Sequence, residues 1–191
     1  MAAALSLAAL SAKDQERLRS GMRAPTVRTI RAGTTLYRFA SSYDRFHNRP
    51  IPRERWATGA WWIDAQGFAL IRAQRAQSVK IHGPARALTI GFLARQASAV
   101  KQEWSNVDAL VTAHVVKDLE VFAGKGRAQH EEPDRSTGFW RYNVHFTWSG
   151  WDYITQLYLP WLDPTRPGYR VDGTKVLDAI SYGSVESQQL V

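Results

Sequence analysis

The stretch from Trp140 to Pro160 constrains the fold most. Trp140, Tyr142, Val144, Phe146 and Trp148 alternate strictly with Arg141, Asn143, His145 and Thr147. A period of two marks a strand with one buried face. Ser149-Gly150 then reads as a two-residue turn into a second strand ending in Gln156, Leu157, Tyr158 and Leu159. If those two residues are the whole loop, Trp148 pairs with Trp151, Phe146 with Tyr153, Val144 with Thr155, Tyr142 with Leu157 and Trp140 with Leu159, and the apolar faces coincide. The other face gathers Asn143, His145, Gln156 and Tyr158 in mid-sheet. Such a face is either the solvent side of a half-exposed antiparallel sheet or the floor of a small-molecule site. Eight tryptophans, none earlier than Trp56, exceed what a core of this size needs, and flat rings at a cleft mouth suit an aromatic or sugar-bearing ligand.

The rest of the chain is punctuated more sharply than it is patterned. Ser11-x-x-Asp14 reads as a capping box for a helix ending near Gly21, with Ala24-Pro25 closing that segment. Thr29 to Phe39 reads as a strand with Ala32-Gly33 as a bend or bulge and Arg38 near its end. Ser41 to Arg55, with Asn48, Pro50 and Pro52 among charges, reads as a surface loop. Asp64 caps a helix running to about Ser78, and Gly83-Pro84 breaks the chain after it. Leu88 to Phe92 suggests a short strand, and the spacing of Leu93, Ala97, Val100 and Trp104 suggests a helix. Val107 to Phe122 fits a helix at its start and a strand from Val111, where valines favour the extended form. Lys125 to Thr137 reads as a solvated acidic loop. Asp163 to Gly168 is a turn-rich connector, with short strands at Tyr169 to Val171, Val176 to Ile180 and Val185 to Val191.

The expected architecture is α+β: a mainly antiparallel, twisted sheet with two or three helices inserted after the first strand. An N-terminal helical segment, 1–28, precedes a single catalytic-type domain, 29–191. At 191 residues, 45% hydrophobic and 22% charged, one domain is the default. No run approaches the length of a membrane span, and the apolar opening Met1 to Leu10 lacks the basic flank of a cleaved signal. The absence of cysteine excludes disulfides, thiolate nucleophiles and cysteine-ligated zinc. It suits a cytosolic protein and equally a secreted or translocated effector that must cross a membrane unfolded.

Charge is unevenly placed. Between Lys13 and Arg55 eleven basic residues face four acids, a net +7 of the chain's +8. Nearly all are arginines, which favour planar, bidentate recognition of phosphate. A nucleic acid, an acidic inhibitor protein or a dinucleotide pyrophosphate would each complement this segment. There is no Gly-x-x-x-x-Gly-Lys-Ser/Thr loop, no Gly-x-Gly-x-x-Gly turn and no Gly-x-Ser-x-Gly elbow. His47, His82, His114, His130 and His145 are scattered, so no metal is expected.

Ala32-Gly33-Thr34-Thr35-Leu36-Tyr37-Arg38-Phe39, followed by Ser41-Ser42-Tyr43-Asp44-Arg45-Phe46, resembles the first strand of the ADP-ribosyltransferase-like superfamily. In its NAD-hydrolysing toxin branch an arginine near the end of strand one holds the NAD phosphates or nicotinamide ribose, and Arg38 matches that position. The tuberculosis necrotizing toxin class has an Arg-Phe-small-Ser start with an aromatic a few residues on, here Tyr43 or Phe46. It also has a glycine-preceded strand bearing Gln, an aromatic and Pro. Gly150 to Pro160 is similar, with Gln156 at the catalytic glutamine's place. The transferring members' order of Arg, Ser-Thr-Ser and a Glu-bearing strand is matched by Arg38, Ser136-Thr137-Gly138 and Ser184-Val185-Glu186. Gly138 and Ser184 depart from that pattern, and the second departure argues against protein arginine modification. The segment around Trp61-Trp62 has a looser likeness to the Arg-Glu-Ser toxins of the same fold.

The resemblance implies an enzyme that takes NAD as substrate and breaks its nicotinamide glycosidic bond, as a glycohydrolase or as an ADP-ribosyltransferase. Cleavage passes through an oxocarbenium-like state, so the pyrophosphate must be clamped, the departing ring stacked and an oxygen placed near the ribose. Arg38 would clamp. Tyr43, Phe46, Trp61 or Trp62 would stack, with Ser136 and Asn143 as further substrate contacts. Gln156 or Glu186 would hydrogen-bond the ribose or orient water. An acidic inhibitor or immunity protein would block the basic face, and a protein or nucleic acid would accept ADP-ribose in a transfer. Two other readings stay open: a basic nucleic-acid-binding or RNA-cleaving domain, and a non-enzymatic interaction module.

Overall fold

The computed structural model describes residues 5–44, 46–101, 104–131, 146–160 and 177–184, without the side chains of Glu54, Glu131, Phe146 and 177–184. A single 3-10 turn at Leu7–Ala9 precedes α1 (Ala12–Gly21), β1 (Met22–Ile30) and β2 (Thr35–Ala40). Then come β3 (Tyr43–Asp44), β4 (Arg49–Pro50), α2 (Arg53–Trp56), β5 (Trp61–Asp64), α3 (Ala65–His82) and α4 (Ile90–Ser98). The remaining elements are β6 (Ala109–Val115), β7 (Leu119–Gly126), β8 (Gln129–Glu131), β9 (Phe146–Trp148), β10 (Gln156–Tyr158) and β11 (Leu177–Ser184).

Two distant stretches of chain form one bent antiparallel ribbon. β1 pairs with β7 and β2 pairs with β6, and the register runs on unchanged across the bend. Thr26 faces Ala123, Ile30 faces Leu119, Thr35 faces His114 and Ala40 faces Ala109. The corner is tied by side chain and backbone together. Asp118 accepts from the Ala32 N–H at 3.0 Å and from Arg31 Nη1 at 2.5 Å, while Gly33, at φ +83, donates its N–H to Val115 O at 2.7 Å. These bonds hold the Asp118 carboxyl below its usual pKa, the Ala32 N–H contributing most and Arg31 next. β10 and β5 fill the space between the two arms. The sheet order is β1-β7-β10-β5-β2-β6-β11, with every described pairing antiparallel. The α+β expectation holds, and α2, α3 and α4 are inserted after the bent strand that β1 and β2 make.

Three apolar clusters hold the layers. Leu36, Trp62, Val111, Val121 and Leu157 join five strands in one. Ile63, Phe68, Ile71, Leu93 and Leu110 join the sheet to α3 and α4 in a second. Leu10, Leu18, Met22, Phe122 and Tyr158 seat α1 on β7 and β10 in a third, so part of the 1–28 segment packs directly on the sheet. Each large aliphatic so buried contributes about 1.5–3 kcal/mol.

Local signals placed two helices well. Ser11 Oγ accepts from the Asp14 N–H at 3.2 Å and starts α1, which ends at Gly21. Ala24-Pro25 does not end that helix. It falls inside β1, where Ala24 takes φ 45 and the register shifts between Arg23 and Thr26. Asp64 Oδ1 accepts from the Gly67 N–H at 2.8 Å and starts α3, which runs past Ser78 to His82 before Gly83 ends it.

Four further expectations are corrected. The strand expected at Leu88 to Phe92 is the start of α4, because Thr89 Oγ1 accepts from the Phe92 N–H at 3.1 Å and caps a helix there. That helix stops at Ser98, short of Trp104, where Ala99 turns left-handed. The loop expected at Lys125 to Thr137 carries strand in its described part, 125–131, while 132–137 lie outside the described residues. β7 reaches Gly126, and β8 pairs with β9. The hairpin around Ser149-Gly150 does not form between Phe146–Trp148 and Gln156–Tyr158. β9 pairs with β8, while β10 pairs with β5 and β7. The cause lies at the end of α4, whose last carbonyls lack helical partners. Gly150 and Trp151 donate their N–H groups to Gln96 O at 3.1 Å and Ala97 O at 3.0 Å, and the chain turns again at Ile154 before β10 begins.

The strand expected from Val111 starts at Ala109, and the one expected at Val176 is β11. Residues 132–145, 161–176 and 185–191 lie outside the described residues, and with them the strands expected at Tyr169 and Val185. Among the described residues no helix is long and apolar enough to cross a membrane.

Candidate ligand-binding cavity

β2 and β5 pair only at Leu36 with Asp64 and Tyr37 with Ile63. Beyond that point β5 continues along β10, through Trp62 with Leu157 and Trp61 with Tyr158, while β2 continues along β6 to Ala40. The strands part, and a cavity of 610 Å³ is lined by residues of both, of β10, of α1 and of the end of α4. That volume falls within the range of about 300–1,000 Å³ usual for small-molecule sites.

Gln156 belongs to the lining and is only 4% exposed. Its Nε2 donates to the carbonyl of Ser98, one of the terminal carbonyls of α4. Gly126 makes room for the amide, since a Cβ there would lie 2.9 Å from Gln156 Nε2. Tyr158, two residues on and therefore on the same face, donates its hydroxyl to the buried Asp14 of α1 at 2.8 Å. Trp61 meets Tyr158 edge-on with ring centroids 4.8 Å apart, and its ring packs over Gly21.

Arg38 bridges the parting. Its Nε donates to Trp56 O at 2.8 Å and its Nη1 to Trp61 O at 3.0 Å, across Gly59. Arg38 belongs to the cavity lining, and its guanidinium closes the β2–β5 gap. Trp62 lines the cavity too but is a core residue, 2% exposed, with its indole N–H on Gly59 O at 2.8 Å.

Of the residues singled out in the sequence, Arg38, Trp61, Trp62 and Gln156 meet here. Tyr43 and Phe46 do not. They sit on the exposed segment that carries β3 and β4, with Tyr43 Oη on Asn48 Oδ1 at 2.8 Å and Phe46 84% exposed. Beside them His47 Nδ1 meets Asp44 Oδ2 at 2.7 Å, and that bond holds the Asp44 carboxyl below its usual pKa. Ser136, Asn143 and Glu186 lie outside the described residues.

Sequence reasoning missed Arg17, Ser98 and Trp104. Arg17 of α1 was one arginine among many in the basic segment. Trp104 looked like a core position of a helix, yet it is half-exposed on the cavity lining. Ser98 had no signal in the sequence. Its Oγ is buried without a hydrogen-bond partner. Among the described residues the lining includes Arg17 and Arg38 but no Asp, Glu or His.

No protein-family model matches the chain. No curated protein matches it either. Among solved structures it is similar to Rhs1-CT, determined in complex with its cognate immunity protein RhsI1. The two are 13% identical, with a TM-score of 0.42 over 84% of this chain and 83% of that one. A likeness at that level carries no argument about chemistry.

Proposed function

We propose that the chain is a toxin or effector enzyme that takes NAD into this cavity and breaks the bond between nicotinamide and ribose. The observation that carries this reading is the lining itself: a buried neutral amide, aromatic rings and two guanidinium groups around a space of 610 Å³. Rings suit the nicotinamide and adenine, and guanidinium groups suit the pyrophosphate. Glycosidic cleavage through an oxocarbenium-like state rests mainly on position and electrostatics, which such a lining can supply. Arg38 contributes positive potential from a fixed position. The oxygen near the ribose falls to Gln156 or Glu186, as the superfamily resemblance implies. Hydrolysis and transfer differ only in whether water or an acceptor on a protein or nucleic acid takes the ADP-ribose.

The test is direct. Incubation with NAD should release nicotinamide or label an acceptor with ADP-ribose, and the absence of both would sink the reading. A second reading, nucleic-acid binding or RNA cleavage, is favoured by the exposed arginines of β1, Arg23 and Arg28, and by the neighbouring Arg31. Salt separates the two readings. Nucleic-acid affinity falls steeply with salt, at a log–log slope of about −0.7 to −0.9 per phosphate contacted, whereas a dinucleotide neutralises only about two charges. The same basic segment would receive an acidic inhibitor or immunity protein.

A further inference from the structure

Gln156 is oriented by three elements at once. The Ser98 carbonyl can only accept, so the amide must turn Nε2 toward it and Oε1 the other way. The missing side chain of Gly126 on β7 leaves the room, and pairing with Ile63 and Gly124 fixes the backbone of β10. Oε1 has no partner among the described residues, although the side chain is more than nine-tenths buried and belongs to the cavity lining. The Ser98 Oγ, on the residue whose carbonyl Gln156 holds, is buried and has no partner among the described residues. Buried polar atoms are rarely left unmatched, and one of them beside an amide oxygen without a partner, both on residues of one cavity lining, marks where a ligand's complementary groups belong.

We propose that Gln156 and Ser98 form a subsite for a primary carboxamide, and on the NAD reading, on which this rests, that carboxamide is the one on the nicotinamide ring. Gln156 Oε1 accepts from the ligand's NH₂, and the Ser98 hydroxyl donates to its carbonyl. An acceptor beside a donor matches a primary amide and mismatches a carboxylate, whose oxygen would face Gln156 Oε1 with no proton between them. Among the described residues no carboxylate or imidazole lines the cavity to supply that proton. Gln156 thereby becomes a specificity-determining contact to the leaving group rather than the residue that orients water.

The experiment compares NAD with nicotinic acid adenine dinucleotide, the same molecule with a carboxylate in place of the carboxamide. Sites built around a buried hydrogen bond reject analogues that break it, so kcat/KM should fall by about 100-fold or more for the acid. Ser98→Ala should lower kcat/KM for NAD about tenfold and narrow the preference, with an unchanged melting temperature because Oγ has no partner to lose. Gly126→Ala, which displaces the Gln156 amide, should narrow the preference as well. Equal turnover of the two dinucleotides by the parent would overturn the subsite and leave the NAD reading standing. A preference undiminished in both variants would also overturn it. Turnover of neither dinucleotide would overturn the NAD reading, and this subsite with it.

Discussion

Replacing Arg38 by alanine tests whether the β2–β5 gap is held shut by one side chain. The superfamily resemblance makes Arg38 a substrate clamp. In the structure its guanidinium donates to Trp56 O at 2.8 Å and Trp61 O at 3.0 Å. A hydrogen bond to a charged group is worth about 1.5–3 kcal/mol, and the group is half-buried, so water replaces part of the loss. The expected cost of Arg38→Ala is about 3 kcal/mol. With a urea dependence of about 2 kcal/mol per molar for a domain of this size, the denaturation midpoint should drop by about 1.5 M. Lysine, a single point of charge, cannot span both carbonyls and should recover at most about half. Gly59→Ala supplies the cross-check, because its Cβ would fall 1.8 Å from Arg38 Nη2 and push the guanidinium off its carbonyls. The two substitutions should therefore not add. In a double-mutant cycle by urea titration the coupling should exceed about 1 kcal/mol. If Arg38→Ala unfolds within about 0.5 kcal/mol of the parent, or the two losses simply sum, the bridging role is refuted.

Tyr158→Phe removes the hydroxyl bound to buried Asp14 and should cost about 1.5–3 kcal/mol by urea titration, loosening α1 over the cavity. Ser11→Ala, which takes the cap from α1, should cost about 1 kcal/mol by the same measurement. Trp104→Ala should weaken binding of a ring-bearing ligand by about 1–3 kcal/mol in calorimetry while its melting stays near the parent's, since the side chain is half-exposed. Asp118 carries the pH prediction. Its folded pKa is depressed by the Ala32 N–H and by Arg31, so its stabilising contribution is complete above the unfolded aspartate value of about 3.9 and is lost as pH falls through the lower folded value. Urea midpoints measured from pH 6 downward should fall more steeply for the parent than for Asp118→Asn. Parallel curves would remove Asp118 from the corner's support.

What could be read from the sequence was what neighbours in sequence decide. Ser11 with Asp14 and Asp64 with Gly67 are capping contacts within one turn of helix, and both helices start where those residues say. The bend at Ala32-Gly33 was equally local. Alternation through Phe146 and Trp148 announced a strand but could not name its partner, which the free carbonyls at the end of α4 decided. β5, four residues centred on two tryptophans, is too short to show a period and was not foreseen. The cavity divides the same way. Arg38 and Gln156 stood out as polar groups on or at the end of expected strands, and both line it. Tyr43 and Phe46 match the toxin pattern by their spacing after Arg38, and β3 and β4 carry them away from the cavity. Ser98 gained its place only when Gln156 arrived from a distant strand.

The bent ribbon also acts as its own proofreader. Because β1 with β7 and β2 with β6 share one unbroken alignment through the corner, a slip of one residue in either arm would be inherited by the other and would unseat core residues of both, Ile30 and Val121 in one, Leu36 and Val111 in the other. Misaligned pairings are thus penalised twice, which narrows the set of traps open to a chain whose paired segments lie so far apart in sequence. Amide exchange from the two arms should accordingly occur through one common opening event, at one rate, although among the described residues neither arm pairs with the other.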